Sequence, residues 1–325
     1  MPTTVSGRSS VRTPSPTISV TEMLELTFLG TAAAVPSRDR MMSCLAVKQG
    51  PSVTLFDCAE GTQRQLMVSR MSFMKVDTIF ITHLHGDHIL GLPGLLQTMG
   101  MTGRKNPLLV CGPEGIGRSV EMMMSACEGE IDYPLEVREV SPGDRVDLGC
   151  ASVTVFATEH GVPSVGYVYA ENDRPGRLDK DKAVSMGLEP GPDFSKVVGG
   201  ETVKGVRPED VVGPRRKGMS IAYTGDTLPS DSIADACRGV DVLIHESTYC
   251  HDEAELSEKN LHSTCVQAAE TAKKAGVRCL ILTHISNRYD STELMLSQAS
   301  AVFPETHIAE DMDTYEISED RIIQV

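Results

Sequence analysis

The chain has 325 residues, of which 40% are hydrophobic and 23% are charged. This is the composition of a soluble globular protein, and it excludes a fibrous or wholly disordered chain. The sequence contains no run of about 18 apolar residues, so it predicts no membrane-spanning helix and no membrane partner. Its 45 Asp and Glu residues outnumber its 30 Lys and Arg residues, which makes the formal net charge −15. That balance argues against binding nucleic acid through bulk charge but allows a local basic groove.

Two features of the sequence concern where the protein works. Its nine cysteines are scattered without any C-x-x-C spacing, which is typical of small buried residues in a reducing compartment and predicts a cytoplasmic location. Residues 1–21 are rich in Ser, Thr and Pro, with Arg8 and Arg12 but no acidic residue. A transit peptide has a similar composition, but the three prolines and the lack of an amphipathic run favour a disordered tail.

From residue 22 to residue 325, short apolar or β-branched runs alternate with helical stretches, and a polar residue follows most of the runs. The predicted strands are Leu24–Leu29, Ser52–Phe56, Thr78–Ile81, Val153–Ala157, Ser220–Tyr223, Val242–Ile244 and Cys279–Leu282, and the predicted helices are Glu114–Ala126, Ser263–Ala275 and Thr292–Ala301. This alternation predicts an α/β fold of layered sheets and helices. Because the polar residues follow strands, we expect the chemistry at the strand ends, which are rigid platforms.

One segment, residues 171–216, breaks this pattern. It is polar, contains three Gly/Pro clusters, and has one short predicted helix, Asp181–Met186. It is longer than an ordinary connection within a compact domain. Two interpretations are open: a surface insertion that contacts a partner or substrate, or a passive mobile loop.

Residues 82–88 read Thr-His-Leu-His-Gly-Asp-His and directly follow a predicted strand. His83 and His85, two residues apart on an extended segment, project to the same side. The glycine after them permits a sharp turn, which lets Asp87 and His88 reach a neighbouring point. Two imidazoles at one point, with a carboxylate and an imidazole at another, predict two metal ions rather than one.

The other ligands of a two-metal site must come from elsewhere in the chain, and the candidates that follow predicted strands are His160, Asp226 and His284. We assign one metal to His83, His85 and His160, and the other to Asp87, His88 and His284. Asp226 is predicted to bridge them, because a carboxylate has two oxygens and can neutralise two cations at once. These nitrogen and oxygen donors favour two Zn²⁺ ions without excluding Mn²⁺, Fe²⁺ or Co²⁺.

Two adjacent metals suit the hydrolysis of phosphodiesters, because they lower the pKa of a bridging water and hold the negative oxygens of the phosphate. Asp87 is a candidate to orient or deprotonate that water. His245, which follows a predicted strand, is a candidate general acid for the leaving oxygen, or else a structural histidine at the sheet edge. Asp57 and Glu60 are expected either to orient ligands such as His83 or to form a purely structural turn.

Several segments carry a resemblance to one family: Phe56–Gln63, Thr82–Leu96, His160–Tyr167, Glu189–Pro192, Tyr223–Thr227, His245–Thr248 and Thr283–Tyr289. From about Met23 to Val325 the chain resembles ribonuclease Z, the tRNA 3′-processing endonuclease of the metallo-β-lactamase superfamily. The resemblance implies a four-layer αββα sandwich over residues 22–325, with a flexible, protruding exosite arm at about residues 171–216. It also implies cleavage of the 3′ trailer from precursor tRNA, a tRNA 3′-hydroxyl product, and a homodimer.

In that family the arm holds the body of the tRNA away from the cut. Here residues 171–212 carry seven Lys or Arg residues against nine acidic ones, which is not a strongly basic patch. Local geometry, together with Arg215, Arg216 and Lys217, is therefore expected to attract the phosphates. Arg288 is expected either to bind phosphate near the metals or to form a structural salt bridge.

The chain departs from the family at Ala32, Ala34 and Ala59, where glycine is usual, at Met41, where asparagine is common, and at Arg64, where histidine is frequent. Alanine at a turn demands a conformation compatible with its Cβ, so the shape of the substrate pocket is left open. None of the five positions is a proposed ligand.

Two other functions compete with the endoribonuclease. A small-molecule phosphodiesterase or arylsulfatase-like hydrolase of the same fold would use the same metals but would need no arm. A non-catalytic nucleic-acid-binding or scaffold protein is disfavoured by the complete ligand set.

Overall fold

The computed structural model describes residues 23–69 and 71–325. The predicted tail, residues 1–21, lies outside the described residues. The strands are β1 (Leu24–Gly30), β2 (Ala32–Ala33), β3 (Cys44–Gln49), β4 (Ser52–Phe56), β5 (Val76–Phe80), β6 (Leu108–Gly112), β7 (Leu135–Glu139), β8 (Arg145–Asp147), β9 (Ala151–Ala157), β10 (Val165–Glu171), β11 (Ser220–Tyr223), β12 (Val242–Glu246), β13 (Cys279–Thr283), β14 (Ile285–Ser286), β15 (Thr306–Ile308), β16 (Thr314–Ile317) and β17 (Ile322–Gln324). The helices are α1 (Thr62–Val68), α2 (Gly86–Ile89), α3 (Leu92–Met101), α4 (Ile116–Ala126), α5 (Lys180–Ser185), α6 (Pro192–Val198), α7 (Pro208–Val211), α8 (Asp231–Ala236), α9 (Ala254–Lys259), α10 (Cys265–Ala275) and α11 (Glu293–Ser300), with 3₁₀ turns at Phe73–Lys75 and His251–Glu253.

Within the described residues, two mixed sheets pack face to face. The first has eight strands in the order β17-β16-β1-β3-β4-β5-β6-β7, and the second has seven in the order β15-β13-β12-β11-β10-β9-β8. Strands β4 to β7 are parallel in the first sheet, and β11, β12, β13 and β15 are parallel in the second. Parallel strands require long crossover connections, usually helical, which explains why helices alternate with strands along the sequence.

Three apolar cores separate four layers. The inner core lies between the sheets and includes Phe56 and Phe80, whose stacked rings are 5.5 Å apart. An outer core, which includes Leu96, joins the first sheet to α1, α3 and α4. The other outer core, which includes Leu243 and Ala269, joins the second sheet to α8, α10 and α11. The predicted αββα sandwich is therefore confirmed.

The predicted strands and helices are all present, with boundaries within two residues of those expected. Helix α10 shows how the sequence sets such a boundary. The Thr264 hydroxyl accepts a hydrogen bond from the Gln267 amide, and the Gln267 side chain accepts one from the Thr264 amide. This capping box stabilises the helix by about 1 kcal/mol. The cap is Thr264, one residue after the predicted start of the helix at Ser263, whose hydroxyl donates to the Thr227 carbonyl at 2.7 Å.

The carboxyl ends of the parallel strands meet at one edge of the sandwich. Strand β4 ends before Asp57, β5 before His83, β11 before Asp226 and β13 before His284, while β12 ends on Glu246. Ligands commonly bind at the carboxyl ends of parallel strands, where side chains from separate strands converge. The fold thus gathers polar residues that are far apart in the sequence.

The segment 171–216, called the arm below, is structured rather than a bare loop. Helices α5, α6 and α7 pack on a small core of Ala183, Leu188, Val197, Val206 and Val211. The predicted helix Asp181–Met186 is confirmed as α5. The arm leaves the sandwich between β10 and β11, at the ends of those strands opposite to the metal-ligand candidates. Because β10 has seven residues, the distance along the sheet from the start of the arm to the metal-ligand candidates is about 20 Å.

Candidate metal centre

Three histidines from two connections, His83 and His85 after β5 and His160 after β9, meet at one point. Nε2 of His83 lies 3.1 Å from Nδ1 of His85, which lies 3.2 Å from Nε2 of His160. We call His83, His85 and His160 the first ligand group. Their ligand atoms lie close enough together to surround a single ion. His83 is fully buried, whereas His160 is partly exposed.

Asp87, His88, Asp226 and His284 form a second ligand group beside the first. Nε2 of His88 and Nε2 of His284 lie 3.4 and 3.3 Å from Oδ1 of Asp226. Both nitrogens also lie 3.6 Å from Oδ2 of Asp87. Two imidazoles and two carboxylates therefore surround a second point.

Asp226 lies between the two groups. Its Oδ1 faces the second group, whereas its Oδ2 lies 3.7 Å from Nε2 of His83 and 3.9 Å from Nε2 of His160. One oxygen thus points toward each group, which is the arrangement a bridging carboxylate needs. The structure brings all seven predicted ligands together in the two predicted sets.

Asp57 holds histidines of both groups. Its Oδ2 accepts a hydrogen bond from Nδ1 of His88 at 2.8 Å and another from the Tyr223 hydroxyl at 2.9 Å. Its Oδ1 accepts a hydrogen bond from the Thr82 hydroxyl at 3.0 Å, and the oxygen of that hydroxyl accepts a hydrogen bond from Nδ1 of His83, which lies 3.0 Å away. Asp57 adopts a left-handed backbone with a φ of 62°, which costs a non-glycine residue about 1 kcal/mol or more. This strain is the kind found at functional sites.

Two other ligand histidines are held in the same manner. Nδ1 of His160 donates to the carbonyl oxygen of Leu261 at 3.0 Å. Nδ1 of His284 lies 2.9 Å from the Thr248 hydroxyl, which donates its own proton to Oε2 of Glu246 at 2.8 Å. Because the hydroxyl has only one proton, its oxygen must accept a hydrogen bond from Nδ1 of His284.

These contacts show that the centre fits metal ions. Since Nδ1 of four histidines donates to the protein, Nε2 of each of these rings, once the ring is neutral, carries a lone pair that faces the centre. Nε2 of His88, Nε2 of His284 and Oδ1 of Asp226 are buried without a hydrogen-bond partner among the described residues. Each such atom costs about 1–3 kcal/mol, and a divalent cation would satisfy all three. Imidazole nitrogen and carboxylate oxygen are a donor set suited to zinc.

Burial and neighbouring charges shift the pKa values of the ligand residues in different directions. Burial lowers the pKa of His83 to about 2, and the neighbouring His88 adds to this shift. Burial raises the pKa of Asp226, but the charges of His284 and His88 outweigh it and hold that pKa well below its usual range. Burial lowers the pKa of His88, but the charges of Asp226 and Asp57 outweigh it and raise that pKa. A cation bound there would therefore displace a proton from His88.

The sequence analysis missed one histidine at the edge of the centre, His262. Its ring centroid lies 5.3 Å from that of His160 and 5.5 Å from that of His284. Nδ1 of His262 donates to Oε1 of Glu246 at 2.9 Å. Burial lowers the pKa of His262, but Glu246 outweighs it and raises the pKa to about 9. A protonated, oriented imidazole beside the ligands is a candidate general acid.

Glu246 positions His262 rather than binding metal. Its fully buried carboxylate also accepts hydrogen bonds from the amides of Thr227, Thr248 and Ser263 and from the Thr248 hydroxyl. With His262 these are five donors, which leaves little room for a cation on either oxygen. The sequence signal that could have pointed to His262 was its place just before the Ser-Thr pair that opens the predicted helix Ser263–Ala275.

The structure does not bring His245 to the centre, so its assignment as general acid was wrong. Its side chain is fully buried, and its Nδ1 donates to the carbonyl oxygen of Glu246 at 2.8 Å. On β12, His245 alternates with Ile244 of the inner core and shares the helix-facing side with Leu243. It is the structural histidine that the sequence analysis left as the alternative.

The two acidic residues predicted to support the ligands have different outcomes. Asp57 does orient His83, through Thr82, and it also orients His88 directly. Glu60 is exposed and lines a separate cleft with Arg64 and other residues of the α1 region. Its assignment as a supporting residue is therefore wrong, because it lies outside the buried network that fixes the ligands.

Arg288, four residues after His284, is held by neighbours. Its Nη1 donates to Oε1 of Glu253 at 2.6 Å, and its guanidinium carbon lies 4.9 Å from the ring centroid of Tyr249. The structural salt bridge left open by the sequence analysis is therefore present. The side chain is still 39% exposed, so one face of the guanidinium is accessible to a phosphate.

Arg215, Arg216 and Lys217 lie at the root of the arm, away from the metal centre. Arg216 and Lys217 line a cleft of about 780 Å³ together with Arg174, Arg177 and Arg321, while Arg215 is exposed beside it. Glu319 and Asp320 line the same cleft. The basic residues thus form a local cluster of positive charge on an otherwise acidic chain.

Comparison with known proteins identifies the family. The model of the beta-lactamase superfamily domain matches residues 53–188 and 195–285. Ribonuclease Z of Methanosarcina acetivorans is 43% identical over 300 residues, which cover 91% of this chain and 98% of that protein. Ribonuclease Z of Methanothermobacter thermautotrophicus is 44% identical and covers 91% and 97%. The chain belongs to the ribonuclease Z family.

A solved ribonuclease Z structure agrees with this assignment. The crystal structure of the short form of human tRNase Z superposes with a TM-score of 0.65 at 27% identity, covering 89% of this chain and 98% of that one. The resemblance to ribonuclease Z inferred from the sequence is therefore confirmed. None of the helices in the described part of the chain is long and apolar enough to cross a membrane.

Proposed function

We propose that the chain is a zinc-dependent endoribonuclease that cuts the 3′ trailer from precursor tRNA and leaves a 3′-hydroxyl on the tRNA. The observation that carries this proposal is the pair of ligand groups sharing Asp226, in a chain whose relatives are ribonucleases Z. Two bound divalent cations would supply an acidified water and a clamp for the phosphate oxygens.

The chain's own residues would orient and move the protons. Oδ2 of Asp87 is fixed by the amide of Ala34 at 3.0 Å, so its carboxylate can orient the attacking water and accept its proton. His262, held by Glu246, would donate a proton to the leaving ribose oxygen. Acid and base are therefore separate residues on opposite sides of Asp226.

The arm is the part of this proposal that selects tRNA. It has its own core, and its root carries the cluster of cationic residues at the cleft. About 20 Å from the centre, it could hold a large folded RNA but not a small diester. Arg215, Arg216 and Lys217 would contact phosphates there, and Arg288 would do so near the cut.

The decisive experiment incubates zinc-loaded protein with a transcript of precursor tRNA that carries a 3′ trailer. We expect a single cut at the base of the trailer, with a 3′-hydroxyl on the tRNA as shown by ligation to an adapter. Bis(p-nitrophenyl) phosphate serves as a small diester control. Protein with two bound metals that hydrolyses the small diester but leaves the transcript intact would establish the small-molecule phosphodiesterase instead.

We further propose that the protein is a cytoplasmic homodimer. The dimer rests on the family resemblance, and the location rests on the nine free cysteines, of which most are buried thiols. Light scattering of the purified protein tests the first, with the mass of two chains expected. Fractionation of the source cells tests the second.

A further inference from the structure

A two-stranded ribbon connects two members of the second ligand group. Strands β2 and β14 are parallel, with Ala32 opposite Ile285 and Ala33 opposite Ser286. The residue after β2 is Ala34, whose amide donates to Oδ2 of Asp87. The residue before β14 is His284. The position of this ribbon therefore affects Asp87 and His284 together.

Thr31 anchors the ribbon. Its carbonyl oxygen accepts a hydrogen bond from the amide of Ile285 at 2.8 Å. Its hydroxyl donates to Oδ1 of Asp311 at 2.8 Å and accepts from Nη1 of Arg40 at 2.6 Å. The fully buried Thr31 is thus tied to residues that lie far along the chain.

Asp311 ties the other end of the same loop. Its Oδ2 accepts from the amide of Met41 at 2.6 Å and from Nε2 of Gln65 at 3.3 Å. One carboxylate therefore binds both Thr31 and Met41, which bracket the loop, and also reaches α1. The loop between them is exposed from residue 34 to residue 39, so its conformation depends on these anchors.

The backbone of Ala34 shows that the anchors impose a shape. Ala34 has a φ of 56°, a left-handed conformation that is unfavourable for alanine because of its Cβ. The surrounding structure must therefore hold it there. The consequence is an amide directed at Asp87.

We infer that Asp311 is a positioning residue for the second metal: through Thr31, Met41 and the β2–β14 ribbon it fixes Asp87 and His284. This inference rests on the proposed two-metal function. The first ligand group is held by other residues, since Thr82 supports His83 and the Leu261 carbonyl supports His160. Loss of Asp311 is therefore expected to lower the affinity for the metal in the second ligand group and to leave the affinity for the other metal unchanged.

The test compares Asp311→Ala with Asp313→Ala, a change in the same turn whose carboxylate accepts a hydrogen bond from the amide of Glu310 at 2.9 Å. Metal-free proteins are titrated with Zn²⁺ in competition with a chromophoric chelator. We expect two ions per wild-type chain and per Asp313→Ala chain. In Asp311→Ala the affinity for the more weakly bound of the two ions should fall about tenfold or more. This is the size of effect seen when a residue that supports a metal ligand is removed.

Anomalous diffraction from the loaded Asp311→Ala protein identifies the ion that remains. We expect it in the first ligand group. Asp311→Asn should recover part of the affinity, because its amide oxygen can still accept from the Met41 amide. Equal loss of both ions, retention of both, or an ion remaining only in the second group would overturn the inference.

A second variant covers the case in which Asp311→Ala does not fold. Thr31→Val keeps the shape of the side chain but removes the hydrogen bond to Asp311, and it should weaken the same ion. Unchanged binding of both ions by folded Thr31→Val would reject the inference. Cleavage of precursor tRNA by the wild type is scored in parallel, so two bound ions without cleavage would reject the proposed function alone.

Discussion

The metal centre and the arm are built in opposite ways. The centre gathers its ligands from the ends of four strands, β5, β9, β11 and β13, and buries most of them, and the ligands are fixed by hydrogen bonds to residues distant in sequence. The arm pairs its charges locally and at the surface, as between Lys204 and Asp193 at 2.9 Å and between Arg207 and Asp210 at 3.3 Å. The chemistry therefore depends on the whole sandwich, whereas the recognition of tRNA that we propose is concentrated in one insertion. Changes in the two regions should affect different substrates.

The largest effect is expected from Asp226→Asn, which keeps the side-chain shape but removes the charge and one of the two oxygens. Because each oxygen faces one ligand group, metal content should fall below two per chain. No turnover of either precursor tRNA or the small diester is expected. Asp235→Asn, at an exposed ion pair, is the control and should behave as the wild type. Residual cleavage of either substrate near the wild-type rate would contradict a shared ligand.

His262→Ala should slow cleavage of RNA by about 10²- to 10⁴-fold, the usual contribution of a general acid. The small diester should lose far less, because nitrophenolate leaves without protonation. Metal content should stay at two, and His307→Ala, at an exposed histidine, should change nothing. Equal loss on both substrates would show that His262 supports the metals instead of donating a proton.

Removing residues 178–212 should separate recognition from chemistry. The amide of Gly213 donates to the carbonyl oxygen of Arg177, so the cut ends already meet and a Gly-Gly link can close them. We expect kcat/KM for precursor tRNA to fall about tenfold or more, since one of two binding regions is lost. The rate on the small diester should be unchanged. A parallel loss on both substrates would exclude the arm as an RNA clamp.

Acidification should also distinguish the two regions. Asp226 and Asp57 raise the pKa of His88, and its proton must leave before a cation can bind there, so metal content and activity should fall on acidification. In the arm, Arg207 lowers the pKa of Asp210 through a hydrogen bond. A carboxylate with a lowered folded pKa loses its stabilising contribution only as pH falls through its unfolded value toward the folded one, near or below about pH 4. Elemental analysis and circular dichroism from pH 7.5 to 5 should therefore show metal loss with the arm intact, and a constant metal content would contradict the centre.

The smallest effect is expected from Lys217→Ala and Arg215→Ala at the arm root. Each would remove a single interaction with a phosphate, so KM for precursor tRNA should rise a few-fold with kcat unchanged. The slope of log affinity against log salt should fall by about one for each cationic side chain removed from the RNA. An unchanged salt slope in both variants would remove these residues from the RNA interface.

Much of the centre was predictable because its ligands follow strands. A residue just after a buried parallel strand lies at the shared edge of the sheets, and His83, Asp226 and His284 all have that place. The same rule failed at His245, because β12 continues beyond the predicted end at Ile244 to Glu246, so His245 lies within the strand and not after it. His262 was missed for the complementary reason, since it follows a loop and not a strand, and Glu246 holds it beside the ligands.

The sequence by itself determined the seven nitrogen and oxygen donors, the order of strands and helices, and the family, because these are encoded in local spacing and hydrophobic patterns. Only the tertiary structure decided which histidine neighbours Glu246, where the basic arm root lies, and that Asp311 anchors the loop over Asp87. Those facts depend on contacts between residues as many as 280 positions apart. The physical reason is that such contacts form when the sheets pack, and no local pattern in the chain records them.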